Sequence, residues 1–82
     1  MTKKDVILSH DPIAYASACG GIEIYHIENG INDFVYFTSN AWNGTPRNKP
    51  HKAMIKHTLK GSPFFMCEGF RISLDDCIRW GL

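Results

Sequence analysis

The chain has 82 residues, a hydrophobic share of 44 %, a charged share of 21 % and a formal net charge of +1. That length fits one domain with a modest core, and the composition argues against wholesale disorder. A net charge near zero excludes a histone-like polycation, yet the charge is unevenly placed. Residues 5–46 carry five acids (Asp5, Asp11, Glu23, Glu28, Asp33) and no base, whereas residues 47–60 carry five bases and no acid.

In chain order, Val6 to Ser9 reads as a short strand or an ordered lead-in. The stretch HDPIAYASACGG reads as a short N-terminal helix, with Asp11 as its cap, Pro12 at the first helical position and Gly20-Gly21 as its stop. GIEIYHIENGINDFVYFTS then predicts a hairpin, because Asn29-Gly30 suits a two-residue type I′ loop. Such a loop would set Ile27 opposite Asn32, His26 opposite Asp33, Tyr25 opposite Phe34, Ile24 opposite Val35 and Ile22 opposite Phe37. Ile22, Ile24, Val35 and Phe37 would share the core side, with Tyr25 and Phe34 on the other face.

Residues 40–50, NAWNGTPRNKP, read as a long polar surface loop with Trp42 as its large apolar residue. Residues 53–60 fit either a helix or a strand. The following KGSPFFMCEGFRIS has two glycine turns around short apolar runs, which favours a three-stranded meander and hence a strand over 53–60. SLDDCIRWGL predicts a C-terminal helix, with Ser73 as cap, Asp75 and Asp76 in the first turn, and Leu74, Cys77 and Ile78 on one side. The expected class is α+β: an antiparallel sheet of about five strands, a meander that could curl toward a small barrel, with a short helix at each end.

The three cysteines, Cys19, Cys67 and Cys77, form an odd set at irregular spacing, which favours reduced thiols and a cytoplasmic setting. The apolar run Val6 to Leu8 is too short for a signal-peptide core, and no segment approaches the ~20 apolar residues of a membrane span. His10, His26, His51, His57 and the cysteines lack the spacing of a metal motif, so no metal or cofactor is expected. His26 is expected to pair with Asp33, and His57 to sit half-buried on its strand.

A catalytic role is not expected either. Ser9-His10-Asp11 has triad residue types, but neighbours on one strand cannot converge on a point. Asp75 and Asp76 are better explained by helix capping, and Cys67 lies beside Glu68 rather than a base.

Two binding roles remain. In the first, Arg47, Lys49, Lys52, Lys56 and Lys60 form a cationic docking surface for nucleic acid, another polyanion or a nucleic-acid-bound complex. As a strand, Lys52, Lys56 and Lys60 would face one way at steps of about 6.5–7 Å per two residues, close to the phosphate repeat of a single strand, with Trp42 as a stacking platform. The bland reading of the same lysines is an edge strand protected from aggregation. In the second role, the hairpin residues Glu23, Tyr25, Phe34 and Tyr36, with Trp42, form an acidic-aromatic interface for a larger protein. The chain would then act as an inhibitor or adaptor, such as an accessory product of a phage or mobile element. A homodimer is one way for so small a chain to bury more apolar surface.

Overall fold

The computed structural model describes residues 2–17, 21–39, 49–67 and 69–79. Helix α1 spans Lys3–Leu8, and strands follow at Ala14–Ala16 (β1), Ile22–Glu28 (β2), Phe34–Ser39 (β3), Lys49–Met54 (β4), Lys56–His57 (β5), Pro63–Cys67 (β6), Phe70–Ser73 (β7) and Ile78–Arg79 (β8). They form two open antiparallel sheets: β4-β3-β2-β1, extended at its edge by the two-residue β8, and β5-β6-β7. The core lies where the sheets' inner faces meet. Ile22, Ile24, Val35 and Phe37 of the larger sheet join Ile55, Phe65, Cys67 and Ile72, all buried. The rings of Phe37 and Phe65 meet across this layer with centroids 4.8 Å apart. Helix α1 buries Val6 and contacts β2, β3 and β4, where Tyr36 and Thr38 are buried.

The N-terminal helix exists but not where the proline and glycines suggest. Residues 14–16 of the expected helix are strand β1, paired with β2 through Ala14↔Ile24, Tyr15↔Glu23 and Ala16↔Ile22. The true helix starts at a capping box: the Asp5 amide donates to Thr2 Oγ1 at 3.2 Å, and the Thr2 amide donates to Asp5 Oδ2 at 3.3 Å. Val6 to Leu8 are therefore helical rather than extended. A six-residue helix is marginal by itself, so its packing on the sheet holds it.

The β2–β3 hairpin and its core face are as expected, and its register is not. Gly30 lacks the positive φ that a type I′ turn needs, and residues 29–33 form a longer loop in which the Gly30 amide donates to Asp33 Oδ1. Glu28 faces Phe34, Ile27 faces Val35 and His26 faces Tyr36, so His26 does not pair with Asp33. A bulge at Tyr25 then resets the ladder to Ile24↔Phe37 and Ile22↔Ser39. The extra residue brings Ile27, at an odd position, to the core side that Ile22 and Ile24 occupy at even ones.

The expected strand over 53–60 is divided. β4 begins at Lys49, within the expected loop, and ends at Met54; Ile55 drops into the core, and β5 continues for two residues in the other sheet. The rest of the meander forms as read, turning at Gly61 and Gly69, which hold φ of 85° and 83°. The expected C-terminal helix does not form among the described residues. Leu74–Asp76 make one 3-10 turn, Ser73 gives no side-chain cap, and Ile78–Arg79 pair with β1 instead. That pairing satisfies an edge that a helix would have left open.

Candidate cationic groove

Strand alternation sorts the smaller sheet's side chains. Phe65 faces Ile72 and both are buried, so Phe64, Met66, Arg71 and Ser73 stand on the outer face, and Lys56, paired with Phe64, stands beside them. The Arg71 guanidinium carbon lies 4.4 Å from the Phe64 ring centroid. Arg71 reaches Phe64 diagonally, since its direct partner is Met66 and that of Phe64 is Ser73.

The β5–β6 turn forms the other wall. The Thr58 amide donates to the Ser62 carbonyl at 3.0 Å, the Gly61 amide donates to the Thr58 carbonyl at 2.9 Å, and the Ser62 amide donates to Thr58 Oγ1 at 3.2 Å. With Gly61 left-handed, this turn pushes Leu59 and Lys60 outward, and Leu59 is fully exposed. His57, Thr58, Leu59, Lys60, Phe64 and Arg71 line an open groove of about 610 Å³, with no carboxylate in the lining.

The basic residues named from the sequence fare differently. Lys52 stands on the outer face of the larger sheet, opposite Tyr36, whereas Lys56 stands on the outer face of the smaller sheet. The step into the core at Ile55 breaks the single lysine row. Lys52 is also engaged, with Nζ 4.4 Å from the Phe34 ring centroid, 5.3 Å from that of Tyr36 and 4.0 Å from Glu28 Oε1. Among the described residues that is the one ion pair, so Lys56, Lys60 and Arg71 carry none. Lys60 lies in the turn rather than on a strand, and His57 is exposed rather than half-buried. Trp42 and Arg47 lie outside the described residues, and Lys49 opens β4. Arg71 was missed from the sequence because it is remote from the basic run; strand pairing alone brings it to the groove.

The hairpin residues occupy the opposite side of the molecule's core. Tyr36 is 4 % exposed, and its hydroxyl donates to Glu28 Oε2 at 3.4 Å. His26 stacks on His10 with centroids 4.3 Å apart, and His10 Nδ1 donates to the Val6 carbonyl at 2.8 Å, tying the end of α1 to β2. Phe34 is half-buried beneath Lys52. Glu23 and Tyr25, with Lys4, Leu8, His10 and Asp11 among others, line a second groove of about 700 Å³.

Among the described residues, no three His, Cys, Asp or Glu side chains gather as a metal-ligand set, and no helix is long and apolar enough to cross a membrane. No family model matches the chain, no curated protein matches its sequence, and no solved structure matches its fold.

Proposed function

We propose that this protein is a non-enzymatic binding domain that docks on nucleic acid, or on a complex that contains it, through the groove of the smaller sheet. The observation that carries this reading is a set of three exposed cations with no ion pair among the described residues: Lys60 and Arg71 line one concavity with Phe64, and Lys56 stands beside it, across the ladder from Phe64. Cations that a fold has not neutralised internally are free to replace the counterions of a phosphate backbone. Lys52 has a structural task on Phe34 and Tyr36 and stands outside the groove. Arg47, Lys49 and Trp42 belong to this proposal on the sequence alone. The setting we propose is cytoplasmic, in keeping with an odd number of irregularly spaced cysteines.

The test is electrophoretic mobility shift with mixed-sequence oligonucleotides at low salt, comparing the wild type with Lys56→Glu/Lys60→Glu. The wild type should shift the probe and the double variant should not, with both folded by circular dichroism. An equal shift by both proteins, or none by either, removes this reading.

The second reading is a protein-binding inhibitor or adaptor, such as a phage accessory product, that uses the helix-side groove. It is favoured by the half-buried Glu23 and Tyr25 at the rim of a concavity of about 700 Å³. Tyr25→Ala should then abolish capture of a partner from the native host. Retrieval of nucleic acid alone, unaffected by Tyr25→Ala, counts against it.

A further inference from the structure

The geometry points to single-stranded nucleic acid as the ligand class, with one base stacked at the Phe64–Arg71 pair. This inference rests on the docking role proposed above and narrows it. A duplex presents phosphates outward and keeps its base faces inside the stack, so a surface made for duplex backbone needs cations and little else. This groove contains more. Phe64 points to the solvent side of its strand while its neighbour Phe65 fills the core, so the ring is turned outward and only partly buried. Arg71 lies over that ring, which supplies a planar cation where a base could stack or share the ring. Leu59 at full exposure forms an apolar lip on the facing turn.

The electrostatic parts are placed around this platform. Lys56 is directly across the ladder from Phe64, beside the groove, and His57 and Lys60 are in the groove's lining. A backbone running past the turn would meet Lys56 and Lys60 while one base turned inward toward the ring. The volume of about 610 Å³ falls within the roughly 300–1,000 Å³ range of small-molecule sites, ample for one nucleotide. Recognition of this kind depends on the π-face that every base has, so weak sequence preference is expected.

The experiment is fluorescence anisotropy on the full chain at about 50 mM salt. The probes are mixed-sequence DNA and RNA single strands of about 12 nucleotides, within the roughly 4–16-nucleotide span of single-strand sites, and the same DNA as a duplex. At least one single strand should bind about tenfold or more tightly than the duplex. Phe64→Leu should weaken single-strand binding about 5- to 100-fold, the range for loss of one stacked base, and leave duplex binding unchanged. Arg71→Lys, at an exposed position where folding is not at stake, should weaken single-strand binding while the slope of log affinity against log salt stays the same, because the charge is kept. Equal affinity for single strand and duplex, with both variants neutral, overturns this inference and leaves the docking role standing. Failure to bind any of the three probes overturns both, and capture of a host protein by the wild type under those conditions would then support the helix-side reading.

Discussion

The Ile55 amide donates to the Asp33 carbonyl at 2.8 Å, at the point where the chain leaves one sheet for the other. This bond extends the β3–β4 ladder by one residue and turns the Ile55 side chain inward. Lys52 and Lys56, four residues apart, are thereby sent to different sheets. Ile55 is 9 % exposed and packs in the inter-sheet core. Ile55→Ala should cost about 2–4 kcal/mol of stability, as expected for removing three buried carbons that neighbours cannot fully replace. Urea unfolding would measure it, and a loss below about 1 kcal/mol would contradict the placement of Ile55 in the core.

The two sheets should also prove coupled through their central rings. Phe37 and Phe65 are both essentially buried and meet at a tilt of 46°. A double-mutant cycle with Phe37→Leu and Phe65→Leu should return a coupling of about 0.5–1.5 kcal/mol. Simple additivity would place the rings out of contact.

Lys52 is expected to separate from the other lysines in function. Its Nζ lies over two rings and beside Glu28, with the lysine and glutamate side chains 36 % and 50 % exposed, so the ion pair itself is screened and worth little. Lys52→Met should lower thermal stability slightly and change oligonucleotide affinity less than about twofold. Lys60→Met should do the reverse, lowering affinity several-fold with little change in melting temperature, since Lys60 is exposed in a turn.

How far the sequence leads is best seen in three places. The apolar alternation at Ile22, Ile24, Val35 and Phe37 identified the core face, because burial follows the pleat. It could not reveal the register, because the bulge at Tyr25 and the five-residue loop add residues that leave the pattern intact. The helix signal at Asp11-Pro12 was outweighed by the pairing of Ala14–Ala16 with β2, while the shorter capping signal at Thr2-x-x-Asp5 formed. The candidate cationic groove was half legible. Lys56 and Lys60 lie in the basic run, but Arg71 and Phe64 join them only through the ladder between β6 and β7, which residue spacing does not encode.

The capping box should be visible in titration. Hydrogen bonds from Thr2, side chain first and backbone second, hold the Asp5 carboxyl below its ordinary value of 3.8, and Lys4 adds a smaller pull in the same direction. A carboxylate favoured in the folded state stabilises that state above the unfolded pKa, and the contribution is lost as pH falls through the lower folded value. The Asp5 carboxyl, followed by NMR, should therefore titrate with a midpoint below 3.8, and Thr2→Val should move that midpoint upward. The same midpoint in both proteins would mean that the box does not form.

The most direct measurement is the affinity for a single-stranded oligonucleotide across a salt series. With Lys56, Lys60 and Arg71 each displacing counterions, log affinity should fall against log salt with a slope of about −2, and Lys56→Glu/Lys60→Glu should abolish binding. Binding that is indifferent to salt, or that survives the double charge reversal, would mean that these three cations do not hold a phosphate backbone.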